Sequence, residues 1–120
     1  TLVLAQNNLE SLPREIERLD KLTALNLSDN RFESVPPAVF RLPALTALHL
    51  ERNDLRDPAL PPEIGGLRNL TSLHLGRTNL KQLPPEIGRL SKLVKLHVPR
   101  NGLTELPPEI GQLQSLTALH

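Results

Sequence analysis

The sequence predicts an α/β solenoid, a horseshoe segment in which a parallel sheet lines the concave side and short helices or turns line the convex side. A leucine-rich segment recurs every 23 residues, with one longer interval of 25. An asparagine and then a pair of prolines follow most of these segments. Self-similarity at a fixed period in this range is the signature of stacked repeats. The segments begin at Leu2, Leu25, Leu48, Leu73, Leu96 and Leu119.

Each leucine-rich segment has the alternation of a short strand. In Leu73-His74-Leu75, the two leucines are expected to point inward and the histidine outward. Strands of successive repeats then lie parallel, about 4.8 Å apart. We therefore predict about six parallel strands, with the first leucines of the inner strands, Leu25, Leu48, Leu73 and Leu96, fully buried.

A turn follows each strand, at a position that is asparagine in four repeats out of five. An asparagine amide both donates and accepts, so a column of them can satisfy backbone groups of the buried turns. Thr78 can do only part of this, and Asn79 is expected to face outward. The position is occupied by Asn7, Asn30, Asn53, Thr78 and Asn101.

The return path of each repeat contains paired prolines, as in Pro84-Pro85-Glu86-Ile87-Gly88. Proline fits the first turn of a short helix, where its missing N–H group costs little. Ile87, Leu90 and Leu93 are then expected to point inward. The glycine is interpreted as structural, because no lysine-containing phosphate loop surrounds it. The third repeat is longer, at Asp57-Pro58-Ala59-Leu60.

The repeat unit with the motif LPPEIGxLxxLxxLxLxxN, as at residues 83–101, resembles the Ras-group leucine-rich repeats of plant intracellular and bacterial proteins. The resemblance covers the whole chain. It implies a protein-interaction module, acting in signal transduction, whose variable strand positions contact a protein partner such as a small GTPase. The alternative is a regulatory arm of a larger signalling enzyme, a GTPase or a kinase. We expect residues 1–120 to form one domain of about five repeats, an uncapped fragment of a longer array.

Stacking converts equal repeat positions into columns on the concave face. All four histidines share one column and three arginines share another, with lysine and glutamate beside them. An acidic protein or peptide partner could bind there. The histidines could equally be a relic of repeat duplication, and a metal site is a third possibility. Metal ligands are not expected, because parallel strands point equal side chains the same way, whereas zinc needs convergent ligands. The predicted partner-binding residues are His49, Glu51, Arg52, His74, Arg77, Lys95, His97 and Arg100.

Composition and the absence of catalytic motifs argue against several classes of function. With 14 basic and 13 acidic residues, bulk charge favours neither nucleic acid nor a membrane surface. Cysteine is absent, which favours a reducing, cytoplasmic compartment. There is no catalytic motif, so we expect neither an enzyme nor a cofactor. Arginines beside the histidines are expected to disfavour histidine protonation.

Each end repeat has a neighbouring coil on one side only. Solenoids need end repeats with a polar outer face. We expect the terminal repeats to fray, with these apolar residues uncovered: Leu2, Leu4, Ile16, Leu19, Leu113, Leu116 and Leu119.

Overall fold

A computed structural model describes residues 1–56 and 58–120. The described residues contain six strands that pair in parallel, each with the next in chain order. This confirms the predicted solenoid. The strands are β1 (Leu2–Val3), β2 (Ala24–Asn26), β3 (Ala47–His49), β4 (Ser72–His74), β5 (Lys95–His97) and β6 (Ala118–Leu119).

Short 3₁₀ helices cross the convex side between consecutive strands. Four of the five begin at a proline, whose missing N–H group needs no partner in the first turn. Each ends with an i→i+3 bond; the N–H of Leu90, for example, donates to the carbonyl oxygen of Ile87 at 3.1 Å. The helices span Arg14–Arg18, Pro37–Arg41, Pro62–Gly66, Pro85–Arg89 and Pro108–Gln112.

The leucines of the inner strands form a continuous layer behind the sheet. Leu25, Leu48, Leu73 and Leu96 are each 0% exposed, as the alternation predicts. Ile87, Leu90 and Leu93 are also 0% exposed and close the layer from the convex side. Each coil buries these side chains against its neighbours, so the core runs along the stack without a centre.

Three asparagines of the column, Asn30, Asn53 and Asn101, tie their turns to the preceding coil. The Asn53 amide nitrogen donates to the carbonyl oxygens of Leu27 (3.0 Å) and Leu50 (2.9 Å). Its amide oxygen accepts a hydrogen bond from the backbone N–H of Phe32 at 3.1 Å. Three buried backbone groups from two coils are thereby satisfied by one side chain.

Thr78 replaces asparagine in the fourth repeat and makes part of this network, as predicted. Its hydroxyl donates to the carbonyl oxygen of Leu75 in its own coil, at 2.8 Å. Asn79 is exposed and bonds to Asp54. It therefore faces outward, as expected.

Where each strand turns towards the asparagine column, one residue adopts a left-handed backbone with φ between 54 and 58°. Such a conformation costs non-glycine residues about 1 kcal/mol or more. It is held by bonds between coils; the N–H of Arg77 donates to the carbonyl oxygen of Pro99 at 3.0 Å. These positions are Gln6, Asp29, Arg52, Arg77 and Arg100.

The end repeats are better covered than the sequence suggested. Ile16 and Leu113 are each only 6% exposed, so the prediction was wrong for these two residues. The first and last 3₁₀ helices each pack on the neighbouring helix, and that one contact is enough to cover them. Leu19 and Leu119, each 44% exposed, do lack cover. Leu2, Leu4 and Leu116 are half-buried.

The longer third repeat lies partly outside the described residues, since Asp57 is not among them. Pro58 is exposed, whereas Ala59 and Leu60 are buried. Within the described ranges, no helix is both long and apolar enough to cross a membrane.

Candidate functional site

The strand register aligns the concave columns as the repeat period predicts. Asn26 pairs with His49, His49 with His74, and His74 with His97. The rings of His49 and His74 stack, with centroids 4.2 Å apart and planes inclined by 17°. His97 and His120 continue the column at centroid distances of 5.5 and 5.7 Å, with tilted rings. The four imidazoles thus form one continuous row.

Glu51 lies beside the first two rings of that row. It stands two residues after His49, so it projects from the same face of the chain. Its Oε1 atom lies 3.5 Å from His49 Nδ1 and 3.3 Å from His74 Nδ1. Its Oε2 atom is buried and has no hydrogen-bond partner in the part of the chain that the structure describes.

Ser72 contacts His74 from the other side of the ring. The Ser72 hydroxyl oxygen lies 2.8 Å from His74 Nε2, within hydrogen-bonding distance. Burial lowers the pKa of His74 below its ordinary value of 6.5, and the nearby His49 lowers this pKa further. Glu51 opposes the shift, while Lys95 and His97 add to it. For His74 the pKa shifts in the expected direction, but burial is the leading cause and the arginines are not among the causes.

The arginine column lines a shallow depression on the concave face. Arg52 bonds through Nη1 to both carboxylate oxygens of Asp29, at 3.2 and 3.4 Å, so its charge is largely balanced. Among the described residues, no carboxylate lies within ion-pair distance of Arg77 or Arg100. The depression is lined by Ser28, Asp29, Glu51, Arg52, Gly76, Arg77, His97, Pro99 and Arg100.

The structure therefore brings most of the predicted binding residues together. The depression is lined by the three arginines, Arg52, Arg77 and Arg100, together with Glu51 and His97. His49 and His74 lie next to it, against Glu51. Lys95 is exposed on β5, in register with Ser72 and Ala118, and does not line the depression.

The predicted binding residues did not include Asp29, Ser72, Gly76 or Pro99. Asp29 balances Arg52, and Ser72 contacts His74. Gly76 has no side chain and Pro99 has only a compact ring, so neither projects far into the depression that they line. The period-two alternation of a strand already placed Ser72 and His74 on one face, so that contact could have been found.

The chain matches two family models that together span it. A leucine-rich repeat region matches residues 54–120, and a leucine rich repeat matches residues 1–55. A search of the curated proteins found no significant match.

Solved structures similar to this chain are longer repeat proteins. A leucine-rich-repeat protein of Leptospira interrogans superposes with a TM-score of 0.91 and 40% identity over 98% of this chain and 30% of its own. The Arabidopsis receptor kinase HAESA, in complex with the peptide hormone IDA and a co-receptor, gives 0.78 and 29% identity over 98% of this chain and 20% of its own. The plant peptide hormone receptor RGFR1, in complex with RGF2, gives 0.76 and 33% identity over 97% and 19%.

This chain spans less than a third of each of these three proteins. The 23-residue period, the parallel sheet and the asparagine column all agree with the two family matches. The chain belongs to the leucine-rich-repeat family.

Proposed function

We propose that this chain is a protein-interaction module that binds an acidic protein or peptide on its concave face. The observation that carries the proposal is the pair of arginines, Arg77 and Arg100, that line one depression without a carboxylate partner among the described residues. Arginine is enriched among the residues that dominate binding energy at interfaces. Its planar guanidinium group also fits a carboxylate through two parallel hydrogen bonds.

The backbone supports this choice of residues. Arg77 and Arg100 both have φ of 56°, a conformation that suits glycine or asparagine better than arginine. The same left-handed backbone recurs at this position in the other repeats, and here it leaves both arginine side chains exposed. Gly76 and Pro99 do not project far into the depression, so both side chains are accessible to a partner.

The similar proteins support a peptide or protein ligand. HAESA is in complex with a peptide hormone and a co-receptor, and RGFR1 is in complex with RGF2. Repeats of this family generally act as binding modules rather than as enzymes, so we propose no catalytic role.

Three more specific parts of the proposal rest on the sequence: the repeat class with its candidate partner, the cellular location and the signalling role. The 23-residue unit supports assignment to the Ras-group repeats, for which a small GTPase is one candidate partner. The absence of cysteine supports a cytoplasmic location. A role in signal transduction follows from these two points.

Selection of peptides from a random displayed library tests the binding proposal directly. Peptides selected on the 120-residue chain should be enriched in aspartate and glutamate, and their binding should weaken as salt is raised. The double variant Arg77→Glu, Arg100→Glu should lower their affinity tenfold or more, equivalent to about 1.4 kcal/mol.

Arg89→Glu is the matched control, because Arg89 is an exposed arginine on the convex side. It should leave peptide affinity unchanged. Loss of binding in Arg89→Glu together with full binding in the concave double variant would move the interface to the convex side.

The alternative is that the same face docks within a larger signalling enzyme. It is favoured by the similarity to HAESA, a receptor kinase of which this chain covers 20%. In that case the concave double variant should alter the activity of the parent enzyme, while peptides from the library should show no acidic preference.

A further inference from the structure

Two neighbouring coils bring two imidazole rings and one carboxylate together on the concave face. We propose that His49, Glu51 and His74 form a binding site for a divalent transition-metal ion, with Zn²⁺ as its best-suited occupant. The ion would be held by Nδ1 of each ring and by Oε1 of Glu51. These three side chains are the candidate metal-ligand group found in the described residues, and their ligand atoms lie within 4.8 Å of one another.

Two of the three ligand-to-ligand distances, those from Glu51, fit a small tetrahedral ion. Ligand atoms bonded to zinc at about 2.0–2.2 Å, at tetrahedral angles, are separated from each other by about 3.3–3.5 Å. Glu51 Oε1 lies 3.5 Å from His49 Nδ1 and 3.3 Å from His74 Nδ1. The carboxylate therefore already stands at ligand-to-ligand distance from both nitrogens.

The contact between Ser72 and Nε2 of His74 can leave the other ring nitrogen, Nδ1, free to bind an ion. With the proton on Nε2, the ring donates to the Ser72 hydroxyl at 2.8 Å and keeps the Nδ1 lone pair free. Metal-binding histidines usually donate their other N–H group to a neighbouring acceptor, which fixes the tautomer and the ring orientation. Ser72 can supply that acceptor here.

One oxygen of the Glu51 carboxylate has no hydrogen-bond partner among the described residues, and the other faces the two imidazole rings. The Glu51 side chain is 24% exposed, and its Oε2 atom is buried with no hydrogen-bond donor in the described part of the chain. Burial of a charged group without a partner is unfavourable. A bound cation would supply the missing counter-charge.

The site occurs at one place in the stack, between the third and fourth coils. The position two residues after the histidine is Glu51 in the third repeat, but Gly76 and Pro99 in the next two. The stacked rings do point the same way, as their parallel strands require. Because the ring planes are inclined by only 17°, the Nδ1 lone pairs of the stacked rings do not converge on one point. Ion binding would turn the rings out of the stack towards Glu51, whose Oε1 atom already lies near both nitrogens.

The ligand types select the class of ion. Imidazole nitrogen suits Zn²⁺ and neighbouring transition metals, whereas Ca²⁺ and Mg²⁺ take oxygen ligands. Three protein ligands leave a fourth position of a tetrahedral ion open, as in sites that bind water or another molecule. Glu51 also lines the concave depression, so that open position would be accessible from the concave face.

Calorimetric titration of the chain with Zn²⁺ tests the proposal. The wild-type chain should bind one ion, and an equal concentration of Mg²⁺ should not compete. Glu51→Gln keeps the shape of the side chain but removes its charge, and should weaken Zn²⁺ binding at least tenfold. His74→Asn should do the same, and Ser72→Ala should weaken binding by about tenfold through loss of the ring's second contact.

His120→Asn is the matched control, since His120 lies in the same column two strands beyond His74. It should bind Zn²⁺ within twofold of the wild type. Circular dichroism should show unchanged folding of Glu51→Gln, so that its loss of binding reports the site. In ¹⁵N NMR spectra, Zn²⁺ should shift the Nδ1 signals of His49 and His74.

Two results would overturn the proposal. One is a Glu51→Gln chain that binds Zn²⁺ as tightly as the wild type. The other is an equal loss of affinity in His120→Asn and His74→Asn, which would mean that the ion binds diffusely along the histidine row.

Discussion

Leu73 in β4 and Leu119 in β6 occupy the same position of the repeat, yet Leu73 is 0% exposed and Leu119 is 44% exposed. The difference between the middle and the terminal coils lies in their neighbours. Leu73 has a coil on each side, whereas Leu119 has one on a single side. In a stack, a side chain is buried by the neighbouring repeats. Leucines at the same repeat position can therefore contribute very different amounts to stability.

The asparagine column shows the same contrast. Asn53 is 3% exposed and bonds to two coils. Asn7 is exposed, and its amide donates to the carbonyl oxygens of Leu4 and Ala5 in its own coil, at 3.0 and 3.2 Å. The repeat motif is identical, but only the inner residue connects coils.

Truncation of the strand leucines should give the largest difference in the free energy of unfolding between the middle and the terminal coils. Leu73→Ala should lower the free energy of unfolding by about 2–5 kcal/mol, because it leaves a cavity in the layer. Leu119→Ala should cost less than about 1 kcal/mol, because the side chain is already exposed. Urea denaturation of both variants measures this. Equal losses would show that the end strand is as well packed as the middle one.

The asparagine pair should give a smaller difference. Asn53→Ala leaves the carbonyls of Leu27 and Leu50 and the N–H of Phe32 without their partner, and should cost about 1–3 kcal/mol. Asn7→Ala should change the free energy of unfolding by no more than about 0.5 kcal/mol. The same denaturation experiment compares the two. A large loss in Asn7→Ala would indicate that its local bonds hold the first turn.

The helix glycines provide a third matched pair. A Cβ atom on Gly88 would lie 2.8 Å from the carbonyl oxygen of Glu109 in the next helix, so Gly88→Ala should destabilise the fold by about 1 kcal/mol. At Gly111 no described atom lies within 4 Å of that position, so Gly111→Ala should be neutral or slightly stabilising. Thermal melts of the two variants check the sign. Stabilisation by Gly88→Ala would mean that neighbouring helices can separate freely.

The smallest effect should be the pH dependence of stability that arises from His74, whose pKa is lowered by burial. Because its pKa is lowered in the folded chain, the unfolded chain binds a proton first as pH falls. Stability should be greatest above about pH 6.5 and should decline as pH drops from there towards the lowered pKa. Denaturation of chelator-treated protein across this range measures the slope. His74→Asn should reduce the slope, and an unchanged slope would assign it to other groups.

Some of the site could be read from the sequence because stacking makes equal positions adjacent. The histidine row and the arginine column follow from the period alone. The register of β2 to β5 aligns His49, His74 and His97, and the three arginines line one depression. The left-handed backbone at Arg77 and Arg100 could not be read this way, since no glycine or asparagine marks those positions.

By itself, the sequence determined the period, the parallel sheet, the leucine layer and the column to which each polar residue belongs, because each follows from spacing. Only the tertiary structure decided which charges are balanced and which candidate ligands lie close together. Arg52 pairs with Asp29 while Arg77 does not pair within the described residues, and Glu51 reaches two rings at once. These contacts depend on side-chain conformations and on distances between coils of a few ångströms, which no repeat motif specifies.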